Sequence, residues 1–179
     1  GTCRRQRQMC IRDRLTYEDL SDPKWKGRVA IRSSGNMYNQ SLVASLIANN
    51  GVDATEKWAH RFVGNFARKP EGNDRAQIMA VANGEADVAV ANSYYIGLML
   101  SGKKGEEQQA AARKVELHFP GQDGRGAHIN VSGAGLMKNA PNAGNAVKFI
   151  EFLLSEEAQS HIVNNTYEFP MLEGVAPSD

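Results

Sequence analysis

Apolar residues along this chain fall into blocks of two kinds. "GRVAIRSS" (27–34) and "ADVAVAN" (86–92) are short apolar runs closed by small polar residues, the pattern of buried strands. Longer blocks repeat at helical spacing. Over 37–51, Leu42, Val43, Leu46 and Ile47 form one stripe that stops at Asn49, Asn50 and Gly51. Over 53–66, Trp58, Phe62 and Phe66 recur every fourth residue, behind Asp53 as candidate N-cap and Glu56 three positions on. A third helix is predicted over 73–85, capped by Asn73 or Asp74 and ended near Gly84, and a short one over 96–100. "RKVELHFP" (113–120) and "HINVSGAGLM" (128–137) predict two further strands, around the glycine-rich crossover or hinge "GQDGRGAHI" (121–129). Helix 142–155 carries Ala143, Ala146, Val147, Ile150, Leu153 and Leu154 on one stripe, and a last helix over 155–165 starts at Ser155. Strands alternating with helices predict an α/β unit with a mainly parallel sheet and flanking helices.

Composition narrows the class. The 179 residues are 41% hydrophobic and 23% charged, which suits a globular protein, and no apolar run reaches membrane-spanning length. A formal net charge of +1 gives no electrostatic case for nucleic acid. The opening "GTCRRQRQMCIRDR" stands apart. It holds five of the 21 basic residues, one of the 20 acids and both cysteines, Cys3 and Cys10. It has no apolar core of a secretory signal, and its cysteines are not at zinc spacing. One reading is a basic arm. The other is a non-native leader, since "RQRQMCIRDR" resembles translated sequencing-adapter read-through. The expected divisions are this leader (1–14), an α/β lobe (15–120), a hinge crossover with part of a second lobe (121–155), and a C-terminal helix with a short tail (156–179).

Few motifs carry chemistry. Gly97, Gly102 and Lys103 fit a phosphate-cradling loop, but Lys104 stands where magnesium needs Ser or Thr. The four histidines show no zinc-ligand spacing, and no nucleophile–base pattern emerges, so an enzyme is not expected. "RSSGNMYN" (32–39) is more informative. Small polar residues join a strand to a helix start, where free backbone N–H groups of Ser33, Ser34, Gly35 and Asn36 can meet phosphate or carbonate. Plain helix capping is the alternative. Tyr38 follows in the first helical turn, and Tyr94 and Tyr95 follow the second strand. Pattern thus maps three of the five tyrosines to the carboxyl edge of the sheet, where open α/β folds bind ligands. A phenol has a pKa near 10 and stays neutral at pH 7 unless a strong cation replaces its proton. Ferric iron does so and favours anionic oxygen. Aromatic packing or sugar stacking is the competing reading.

"LSDPKWKGRVAIRSSGNMYNQSLVASLI", "GNDRAQIMAVANGEADVAVANSYYIG", "GAHINVSGAGLMKNAPN" and "YEFP" together resemble the periplasmic ferric-ion-binding proteins of bacterial ABC iron importers, over about residues 15–176. The resemblance implies a type II periplasmic-binding-protein fold, with two lobes joined by hinge strands and Fe(3+) held in the cleft between them. It implies Tyr94 and Tyr95 as adjacent iron ligands and Tyr38 as the third tyrosine of multi-tyrosine members. A synergistic phosphate or carbonate, delivery to an ABC permease, a periplasmic location and a monomeric full-length parent belong to the same expectation. The long amino-terminal lobe of the family has no counterpart here and the tail after "YEFP" is short, so a fragment with an incomplete second lobe is expected. The rival readings are the same fold binding another small solute or anion, and the effector-sensing domain of a transcription regulator.

Overall fold

The two short runs pair as predicted. β1 (Val29–Ile31) lies parallel to β2 (Val88–Val90), with Val29 opposite Val88 and Ile31 opposite Val90. The structure, a computed structural model, describes residues 15–178; the expectations for the basic segment 1–14 lie outside the described residues. Parallel strands require a long crossover, and here it contains three helices: α1 (Met37–Asn50), α2 (Val52–Val63) and α3 (Asp74–Ala82). Beyond β2 come α4 (Ser93–Leu100), α5 (Glu106–Ala112), α6 (Ala143–Leu153) and α7 (Glu156–Thr166).

Local chemistry sets most of these boundaries. The Asn36 side chain accepts the Tyr38 N–H at 3.0 Å and opens α1. Gly51, at φ +82°, ends α1 and at once precedes α2, a backbone position that favours glycine. Asp53 is therefore not the cap of α2; it sits inside the first turn, where its charge suits the helix dipole. Asn73 caps α3 by accepting the Ala76 N–H, and Ser155 caps α7 by accepting the Ala158 N–H, both at 3.2 Å. Helix α4 starts at Ser93, three residues before the predicted position.

One face of the sheet packs on Leu20, Trp25, Leu46, Trp58 and Phe62. The Trp58 and Phe62 rings stack at 4.6 Å, and Phe66 meets Phe62 edge-on at 5.0 Å, as the four-residue spacing predicts. Ile47 departs from its predicted stripe and is exposed. A second cluster, Ile78, Ile96, Met99, Ala111 and Ala112, joins α3, α4 and α5.

The two later strands do not form. Residues 113–120 and 128–137 have no regular structure. A strand exists only where a ladder partner meets its backbone groups. Residues 114–118 and β2 line one apolar groove of about 260 Å³, and the sheet among the described residues holds β1 and β2 alone. Ile129, Val131 and Met137 of the second segment are exposed. The stripe on α6 is likewise uncovered: the helix buries no residue, and Val147 and Leu154 are exposed along with Phe149 and Phe152.

Candidate functional site

Both strands end on one edge of the sheet, and each feeds a helix with tyrosine in its first turn. Tyr38 is the second residue of α1; Tyr94 and Tyr95 are the second and third of α4. All three are half-buried. The Tyr94 hydroxyl donates to that of Tyr38 at 3.4 Å. The Tyr94 and Tyr95 rings lie 4.3 Å apart, tilted by 30°. Oxygens that share one hard cation at about 2–2.6 Å lie at most about 5 Å apart. The Tyr94–Tyr38 pair is inside that limit.

Burial raises the pKa of Tyr94 well above the ordinary phenol value, and its hydrogen bonds with Tyr38 and Tyr95 raise it further. Without a cation, this hydroxyl is therefore protonated at neutral pH. A tightly bound cation reverses that preference by taking the place of the proton. Among the described residues no cluster of three His, Cys, Asp or Glu side chains can hold a metal, so the phenols are the candidate donors.

The turn 33–36 is arranged differently. The Gly35 N–H donates to Ser33 Oγ at 3.2 Å, the Asn36 N–H to the Ser33 carbonyl at 3.0 Å, and the Asn36 side chain accepts from Tyr38. Asn39 Nδ2 donates to the Arg32 and Ser33 carbonyls at 2.6 and 3.1 Å, and Gln40 Nε2 to that of Ser34 at 3.3 Å. Two of the N–H groups considered for an anion thus serve the turn itself. Ser33, Ser34 and Gly35 are exposed, and both hydroxyls can still donate.

Three further residues belong to this rim. Asp74, read from sequence only as a possible cap, is 2% exposed and pairs with Arg32. The Asn92 N–H donates to Asp74 Oδ1 at 3.0 Å, and Asn92 Oδ1 accepts from Asn130 Nδ2 at 2.9 Å. Burial works against the charge on Arg32. Hydrogen bonding and attraction to Asp74 outweigh it, Tyr95 adds to them, and the guanidinium is held above its usual range. An ion pair between residues 42 apart leaves no mark on local periodicity.

Residues 14–179 match the model of the bacterial extracellular solute-binding protein family. The chain is 59% identical over 160 residues to iron uptake protein A1 of Synechocystis sp., covering 89% of this chain and 44% of that protein. It is 30% identical over 153 residues to the major ferric iron-binding protein of Neisseria meningitidis serogroup A, covering 86% and 44%. A solved Trichodesmium protein (IdiA, FutA), in complex with iron and citrate ligands, superposes with a TM-score of 0.89 at 53% identity, over 92% of this chain and 52% of that one. The fold is accordingly α/β of the type II periplasmic-binding-protein kind. This chain spans about half the length of the relatives it matches.

Proposed function

The chain belongs to the bacterial extracellular solute-binding proteins, and from that premise we propose that it carries the tyrosine-bearing lobe of a ferric-iron-binding protein. The observation that carries the reading is the 3.4 Å contact between the hydroxyls of Tyr94 and Tyr38, with the Tyr95 ring tilted against that of Tyr94 on the carboxyl edge of the sheet. Tyr38, Tyr94 and Tyr95 act as phenolate ligands of Fe(3+). Residues 15–120 form the iron-bearing lobe, 121–155 cross into a second lobe, and 156–179 return as helix and tail. Iron is the cargo, held and released without catalysis. The whole protein works in the periplasm as a monomer and delivers iron to an ABC permease, which favours its closed, loaded state.

The names of the similar Synechocystis and Neisseria proteins support iron over another solute. A small oxygen anion, phosphate or carbonate, completes the coordination. Ser33 and Ser34 face it with their exposed hydroxyls, while Gly35 and Asn36 shape the turn behind them.

Ferric ion supplied as its nitrilotriacetate chelate tests this reading. The 179-residue chain should develop a visible phenolate-to-iron band that saturates at one equivalent. Citrate should remove it readily, because a ligand set without an opposing lobe lacks the gain in effective concentration. No band at any ferric concentration contradicts the proposal.

A further inference from the structure

Behind the phenols lies a buried carboxylate that the helix it begins does not use. Asn73 caps α3, so Asp74 is free for other work. Its Oδ2 pairs with Arg32 Nη1, and its Oδ1 accepts the Asn92 N–H at 3.0 Å and Asn92 Nδ2 at 3.4 Å. Arg32 directly follows β1, and Asn92 directly precedes α4. One carboxylate thereby ties together the two strand ends from which the tyrosine helices start. An ionised carboxylate is costly to bury unless it is paired and hydrogen-bonded, and this one has both kinds of partner.

Arg32 extends the tie to the tyrosines. Its guanidinium carbon lies 5.9 Å from the centre of the Tyr38 ring. Its carbonyl accepts Asn39 Nδ2 at 2.6 Å, from the residue next to Tyr38 in α1. The planar guanidinium pairs with Asp74 through Nη1 while its carbon lies near the Tyr38 ring, and its rigid plane fixes the two contacts relative to each other more firmly than an ammonium's single point charge does.

We propose that Arg32, clamped by Asp74, is the positioning residue of the tyrosine site, fixing the ring of Tyr38 relative to the start of α4. This rests on the ferric-iron reading for its consequence, but the placement of the rings can be read without iron. A guanidinium that only clipped strand ends together would be replaceable by any cation that pairs with Asp74.

Arg32→Lys separates these roles in the full chain, because the lysine keeps the ion pair and preserves the fold. Two readouts apply: near-ultraviolet circular dichroism of the tyrosines in metal-free protein, and affinity for ferric nitrilotriacetate. Arg32→Lys should melt like the parent chain, show altered tyrosine dichroism, and bind ferric ion about 10-fold more weakly. Arg32→Gln should lose about 10–100-fold, the usual effect of removing an outer partner of a metal ligand. If folded Arg32→Lys keeps both the parent dichroism and the parent affinity, the proposal is overturned. If the parent chain binds no ferric ion, the function proposed above fails, and the dichroism alone still decides whether Arg32 positions the rings.

Discussion

The tyrosine cluster and the turn 33–36 share one rim and use their polar groups in opposite ways. The turn closes on itself: Gly35, Asn36 and Tyr38 all donate their N–H groups to atoms of Ser33 or Asn36. The cluster directs hydroxyls at one another, with Tyr94 held protonated by burial and by its neighbours. A self-satisfied turn has mainly a geometric task, which is to set the start of α1. The phenols meet one another and the Arg32 guanidinium, and a hydroxyl that donates one hydrogen bond still has lone pairs for a cation. Under the proposed iron reading, this difference assigns the larger share of binding to the tyrosines and a smaller, tuning share to the turn.

Removing the oxygens should have the largest effect. The double variant Tyr94→Phe with Tyr95→Phe keeps both rings and loses both hydroxyls. Ferric affinity, measured by citrate competition, should fall by on the order of 100-fold or more, about 2.8 kcal/mol. The far-ultraviolet spectrum should not change.

Acidity comes next. Each phenolate that binds iron releases a proton, so affinity should weaken as pH falls, by up to about tenfold per unit for each proton released. In metal-free protein the sign reverses. The pKa of Tyr94 is raised in the folded state above its ordinary 10.0, so the folded chain favours the protonated form. That stabilisation is fully present below pH 10 and is lost as pH rises above it. Urea unfolding at about pH 9 and pH 11 should show an alkaline loss that Tyr94→Phe reduces. An identical loss in the variant would remove Tyr94 as its source.

The backbone beneath the cluster gives a third test. A Cβ on Gly97, two residues past Tyr95, would stand 2.9 Å from the Tyr167 Cβ. Gly97→Ala should therefore lower stability by about 1–3 kcal/mol, as overpacking does, and thermal melting would measure it. The turn should respond least. Ser34→Ala removes one exposed hydroxyl and should change ferric affinity by no more than about 1 kcal/mol. It should also blunt the shift of the visible band on adding phosphate or carbonate. A loss as large as that of the tyrosine variants would invert the ranking of the two regions.

Local signals made the tyrosine side of the site legible. Ser155 is legible as the cap of α7 and Asn73 as one of two candidates for α3, while Asn36, expected to face an anion, proves to cap α1. The short runs that end before α1 and α4, with the Asn36 cap on α1, bring Tyr38, Tyr94 and Tyr95 to helix starts. The Asp53 expectation failed because Gly51 serves two helices at once, which spacing alone does not reveal. The segments 113–120 and 128–137 carry strand-like residues, but a strand is decided by its ladder partner, and only β1 and β2 find one among the described residues. Arg32 and Asp74 were invisible as a pair for the same reason: their contact is non-local.

Resonance Raman spectroscopy of the ferric-loaded chain, excited in its visible band, shows whether tyrosinate oxygens bind the iron. Enhanced tyrosinate ring modes are expected. They should weaken in each of Tyr38→Phe, Tyr94→Phe and Tyr95→Phe, and vanish in the triple variant. Bound iron with no tyrosinate modes, or modes that survive the triple variant, would contradict coordination of iron by these three tyrosines.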